Sequence, residues 1–113
     1  MERKPPWIGV DLDGTLAFNE QGAYHGGTHI GAPIPKMVNR VKAWLAEGKT
    51  VKIFTARADR RQTEPETMRA IEDWCQTNIG QILEITNIKD NGCQEIWDDR
   101  AFGVIRNTGE LKT

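Results

Sequence analysis

The sequence predicts an α/β protein, a doubly wound parallel sheet, and two observations carry that expectation. Short β-rich runs alternate with amphipathic helical segments along the chain, the pattern of strands joined by helical crossovers. Acidic, hydroxyl and basic residues follow the ends of those runs, at the carboxyl rim where such sheets bind ligands. The length of 113 residues fits one domain, and no repeat or Gly/Ser linker divides it.

The elements follow in order. Residues 7–12, Trp-Ile-Gly-Val-Asp-Leu, read as a strand between Pro6 and Gly14. Residues 17–35 form a long polar connection carrying Gly22, Gly26, Gly27 and Gly31, a length that in so small a domain means either function or a different element assignment. A helix opens at Pro35, buries Met37, Val38, Val41, Trp44 and Leu45 on one face, and stops at Gly48. Residues 50–55 are a second strand. Thr63-x-x-Glu66 reads as a capping box with Pro65 in the first turn, opening a helix to Asn78 that buries Met68, Ile71, Trp74 and Cys75. Residues 82–86 and 95–98 read as third and fourth strands, and 102–105 as a fifth. Trp7, Trp44, Trp74 and Trp97 adjoin these elements and are expected to pack in the core and its rim.

Composition narrows the function classes. Fifteen basic against sixteen acidic residues give a net charge of −1, which argues against a polybasic nucleic-acid or membrane-surface protein. With 38% hydrophobic and 27% charged residues the chain is globular, and no apolar run approaches the ~20 residues of a membrane span. The start lacks the apolar segment of a signal peptide, so a cytoplasmic location is expected. Cys75 and Cys93 form no metal or disulfide motif and are expected to be buried thiols.

The chemistry gathers at the expected strand ends. Asp11-Leu12-Asp13-Gly14-Thr15 closes the first, Thr55-Ala56-Arg57 the second, Lys89 follows the third, and Asp98-Asp99-Arg100 closes the fourth. Paired Asp residues at a turn are commonly capping groups; a second pair at another strand end is what points to chemistry. Four carboxylates converging on one rim repel unless they are protonated or neutralised, and a carboxylate set suits Mg²⁺. Asp11 and Asp13, two apart before a glycine, have the spacing of a nucleophile beside a general acid/base. Thr55 and Lys89 are suited to phosphoryl oxygens. Arg57 and Arg100 flank the site, either at substrate phosphate or paired with a local carboxylate. Arg60 and Arg61 fall in the polar stretch before the capping box. His25 and His29 are four apart, but Gly26-Gly27 between them argues against a helical metal pair, leaving them as loop residues near the site.

This ordered set resembles the phosphatase branch of the haloacid dehalogenase superfamily, over about residues 7–105. The resemblance implies a single Rossmann-like, doubly wound domain over residues 1–113. It implies that Asp11 is a nucleophile forming an aspartyl-phosphate and that Asp13 is the acid/base, lending its carbonyl to Mg²⁺. Thr55, Ala56, Arg57 and Lys89 would hold the substrate phosphate. Asp11, Asp13, Asp98 and Asp99 would surround the metal, with Asp98 as direct ligand and Asp99 nearby or acting through water. The gaps between motifs leave no room for the cap domain common in that family. The open site would suit a nucleic-acid end or macromolecule, or a small phosphorylated molecule under a cover lent by a neighbour in a homo-oligomer.

Other classes compete. A dehalogenase needs neither Asp13 nor the acidic pair. A signalling receiver domain would carry its acidic pair on the first strand and its phospho-acceptor mid-chain, the reverse of this order. A phosphotransferase and a non-catalytic phosphate- or metal-binding module stay open, and a turnover assay separates the latter.

Overall fold

The computed structural model describes residues 3–19 and 27–113. It is an α/β fold whose four strands are all parallel: β1 (Trp7–Val10), β2 (Val51–Phe54), β3 (Ile85–Thr86) and β4 (Cys93–Trp97), in the order β3-β2-β1-β4. Helix α1 (Pro35–Ala46) joins β1 to β2, and α2 (Pro65–Asn78) joins β2 to β3. The chain therefore steps outward twice on one side of β1, then returns to add β4 on the other. Such a reversal opens a crevice at the carboxyl ends of the two strands that flank it.

One core unites the sheet with both helices. Ile8, Val10, Val51, Ile53 and Ile85 from the strands meet Met37, Val38 and Val41 of α1 and Met68, Ile71, Trp74 and Cys75 of α2. The spacing of the helical members follows the apolar stripe legible in the sequence. Fully burying each large aliphatic side chain contributes roughly 1.5–3 kcal/mol, so this stripe, rather than helix propensity, holds the helices in place.

Several boundaries differ from expectation, each for a local reason. The first strand ends at Val10, because the Leu12 carbonyl accepts from both Leu16 and Ala17 N–H and curls the chain into a turn. Helix α2 is capped by Glu64, not Thr63, and no side-chain capping bond forms. Pro65 takes the first helical position, where its missing N–H costs nothing, and that choice fixes the cap one residue later than the box predicts. The third strand shrinks to Ile85–Thr86; Leu83 is buried, while Ile82 points to solvent. The fourth begins two residues early, at Cys93.

The expected fifth strand does not join the sheet. Residues 102–105 turn back on themselves: Ile105 N–H donates to Glu110 at 2.7 Å, Lys112 N–H to Gly103 at 2.9 Å, and Phe102 stays 81% exposed. The backbone bonds that this run forms lie within its own turn, and among the described residues β4 is an edge strand of the sheet.

Two tryptophans fix the frame as expected. Trp7 is buried, and its Nε1–H donates to Asp90 at 2.8 Å. That bond, with one from Gly92 N–H, holds the Asp90 carboxyl below its ordinary range. Trp74 Nε1–H donates to the Gly31 carbonyl at 2.9 Å, pinning the returning end of the long connection. Trp44 and Trp97 pack at 5.3 Å between ring centres, with the Arg40 guanidinium 4.9 Å from the Trp97 ring. Cys75 is buried and Cys93 only half-buried, so the expectation of two buried thiols holds for the first alone. Among the described residues, no helix is long and apolar enough to cross a membrane.

Candidate active site

The site is assembled by register. Val10 of β1 lies opposite Trp97 of β4, and Asp11 N–H donates to the Trp97 carbonyl at 2.9 Å. The next residue of each chain is a carboxylate, Asp11 and Asp98. Together with Asp99 they bring carboxylate oxygens within 4.8 Å of one another. Parallel pairing of neighbouring strands thus converts two motifs 87 positions apart into one cluster.

Thr15 stitches the two loops together. Its hydroxyl accepts from Asp99 N–H at 3.0 Å and lies 3.3 Å from Asp99 Oδ1 and 3.4 Å from Asp11 Oδ2. Gly14 makes the approach possible. Its φ of +91° is one that side chains rarely adopt, and a Cβ there would sit 2.9 Å from Asp99 Oδ2. Asp98 Oδ1 accepts from Arg100 N–H at 2.8 Å, which shapes the last turn.

This crowding has an electrostatic signature. Burial, then the charge of Asp98, then contact with Asp99, push the Asp11 carboxyl up to about 7 from 3.8. Among the described residues, none of these three carboxylates forms an ion pair with a Lys or Arg of the chain. The donor set could hold a hard divalent cation: it is all oxygen and offers three carboxylates.

Asp13, two residues from Asp11, has the opposite environment. Arg57 Nε donates to its Oδ2 at 2.9 Å and Nη2 to its Oδ1 at 2.7 Å. The same guanidinium donates to the carbonyls of Gly27 and His29 at 2.9 and 2.8 Å. Arg57 is only 2% exposed. Of the two roles weighed for it from sequence, pairing with a carboxylate is the one its side chain performs here. Thr55, also buried, accepts from Arg57 N–H at 3.1 Å and so caps a 3-10 turn, Ala56–Arg60. Arg61 Nη2 donates to the Ile85 carbonyl.

A small pocket of about 50 Å³ opens between the two carboxylate environments, lined by Asp11, Asp13, Asn19, Thr55, Ala56, Asp99 and Arg100. Lys89 is not among its lining residues. The connection 87–92 runs from the carboxyl end of β3 to the amino end of β4, so it carries Lys89 off the rim. Lys89 instead lines a separate cavity of about 740 Å³ beside β4, with Cys93, Trp97, Asp98 and Phe102. His25 lies outside the described residues, and His29 is exposed, its carbonyl accepting from Arg57.

Sequence reasoning missed Asn19, which sits in the long connection without any periodic signal. Thr15 lies within the acidic motif, but its residue type alone does not mark it as the tie between the two loops. The Asp13–Arg57 pair spans 44 positions, and nothing local in the sequence marks it. No protein-family model, curated protein or solved structure matches this chain.

Proposed function

We propose that this protein is a Mg²⁺-dependent phosphomonoester hydrolase working through an aspartyl-phosphate on Asp11. We propose with it a doubly wound, single-domain architecture without a cap, an expectation that the strand reversal at β1 supports. The observation that carries the reading is the meeting of Asp11, Asp13 and Asp99 around one small pocket, with Asp98 completing the carboxylate cluster.

Asp11, Asp98 and Asp99 would hold the cation, with the Asp13 carbonyl as the fourth contribution expected from the resemblance. Bound there, Mg²⁺ would neutralise the crowded carboxylates and keep Asp11 ionised near neutral pH. An Asp11 oxygen attacks phosphorus, and the bond to the leaving oxygen breaks. Asp13, released at one oxygen from Arg57 and protonated by the incoming phosphate monoanion, gives the leaving oxygen that proton, and the alcohol departs. Water then attacks the phosphorus of the acyl phosphate and passes a proton to Asp13, releasing phosphate and restoring the Asp11 carboxylate. Thr55 and Ala56 line the space for phosphoryl oxygens. Arg100 lines the pocket and offers the positive charge that the resemblance assigns to Lys89. To act, Asp13 exchanges one of its two Arg57 contacts for the leaving oxygen.

The test is hydrolysis of p-nitrophenyl phosphate with Mg²⁺ by the wild type and by Asp11→Asn. Loss of at least ~10⁴-fold in turnover with the fold retained is expected, because an amide is nearly isosteric but far less nucleophilic. Retained turnover would overturn the nucleophile assignment. Binding of Mg²⁺ and phosphate by a wild type without turnover would make the chain a binding module instead. A panel of phosphorylated metabolites, nucleotides and 3′- or 5′-phosphorylated oligonucleotides then identifies the substrate class.

A further inference from the structure

We propose that Arg57 is a positioning residue that aims Asp13, and that it makes the orientation of Asp13 depend on the returning end of the long connection at Gly27 and His29. The inference rests on the acid/base role proposed for Asp13 and adds a residue that acts through Asp13.

The geometry runs as a chain of dependencies. Thr55 Oγ1 accepts the Arg57 N–H at 3.1 Å and caps the turn that follows β2, which fixes where the Arg57 side chain starts. The side chain crosses the buried rim, 2% exposed, and meets Asp13 with a two-pronged contact at 2.9 and 2.7 Å. A planar fork holds a carboxylate in one plane, which a point-charge ammonium does not do. One prong can stay bound while the other oxygen is released toward a leaving group, so the acid stays tethered as it acts. The guanidinium also donates to the carbonyls of Gly27 and His29, at 2.9 and 2.8 Å. Shifting those carbonyls shifts the fork, and the fork shifts Asp13. Arg57 has almost no surface to offer a substrate, so its effect on turnover passes through Asp13.

The experiment is a double-mutant cycle read in single-turnover release of alcohol, with Mg²⁺, from an alkyl phosphate and from p-nitrophenyl phosphate. Arg57→Lys keeps the charge and removes the fork. It should slow the alkyl substrate on the order of 10²-fold, the scale of a small misplacement of a catalytic group. It should change the aryl substrate by less than about threefold, because that leaving oxygen departs without a proton. In the Asp13→Asn background Arg57→Lys should add nothing further on the alkyl phosphate. Equal losses on both substrates, or a multiplicative loss in the double variant, would overturn the positioning role, since a merely structural arginine gives those results. Should Arg57→Lys fail to fold, Gly27→Ala takes its place. A Cβ there meets no atom of the described residues within 4 Å, and its φ of +65° strains the backbone that carries the carbonyl. A loss confined to the alkyl phosphate supports the coupling, and an unchanged ratio between the substrates overturns it. If Asp13→Asn itself shows no dependence on the leaving group, the acid role falls and this inference falls with it. If Asp13→Asn shows that dependence and the Arg57 or Gly27 variant does not, the acid role stands and the positioning role is rejected.

Discussion

The two sides of the candidate site solve the same problem in opposite ways. On one side Asp11, Asp98 and Asp99 crowd together with no cationic side chain paired to them among the described residues, and the Asp11 carboxyl rises to about 7. On the other, Asp13 is matched by the buried fork of Arg57. Asp11 and Asp13 come from one pentapeptide at the end of one strand. Charge left unbalanced on one side raises the proton affinity of Asp11, whereas charge balanced on the other fixes the orientation of Asp13.

The largest expected effect breaks the crowded side. With excess chelator, phosphatase turnover should disappear, and Mg²⁺ should restore it, whereas Ca²⁺ restores little because its looser, larger coordination misplaces the reacting atoms. Steady-state rates across a metal series check this, and full activity in chelator would remove the cation from the reading.

Next, Asp13→Asn on the balanced side should cost ~10²–10⁴-fold on an alkyl phosphate and much less in the phosphorylation step of an aryl phosphate. Mg²⁺ affinity, measured by calorimetry, should change little, since the carboxylates of the crowded side remain. Unchanged steady-state rates would take Asp13 out of the mechanism.

A stability measurement sharpens the electrostatic contrast. Asp11 titrates near 7 in the folded chain and near its ordinary 3.8 when unfolded. Between those values the folded state holds the proton more tightly, so metal-free stability falls as pH rises from about 4 to about 7. Asp11→Asn should remove that slope. The metal-free variant should melt higher than wild type at pH 8 and converge with it near pH 4, as followed by circular dichroism. Adding Mg²⁺ at pH 8 should stabilise the wild type more than the variant. A parallel pH profile for both proteins would show that Asp11 is not the strained group.

The smallest effect tests the hinge between the two sides. Gly14→Ala forces a side chain into a positive-φ turn and against the Asp99 carboxylate, and should destabilise the protein by about 1–2 kcal/mol. Thermal melting should fall by several degrees, roughly 4 °C or more for a domain of this size. A melt unchanged from wild type would mean that the turn relaxes without cost.

The sequence by itself determined the parts governed by local rules. The helical stripe of Met37, Val38 and Val41 placed α1, because a period near 3.6 can bury only one face. Pro35 and Gly48 bracketed it for reasons of backbone geometry. The acidic motifs at residues 11–15 and 98–99 announced themselves by residue type alone, and the strand–helix alternation implied that they share a rim. Where local rules competed, the sequence was ambiguous: Thr63-x-x-Glu66 matches a capping box, but Pro65 settled the cap on Glu64.

Only the tertiary structure decided what depends on distant neighbours. Strand pairing at β1 and β4 fixed which carboxylates meet, and the β-like run 102–105 found its hydrogen bonds in its own turn rather than along β4. Lys89 left the rim because the path from β3 to β4 runs down the sheet, which no spacing rule encodes. Arg57 found Asp13 across 44 positions, and it did so because a buried guanidinium must satisfy every donor at once with whatever acceptors the fold brings within reach. Local propensity depends on a few adjacent residues, so it is written in the sequence; pairing and burial are properties of the closed chain, so they exist only once it has folded.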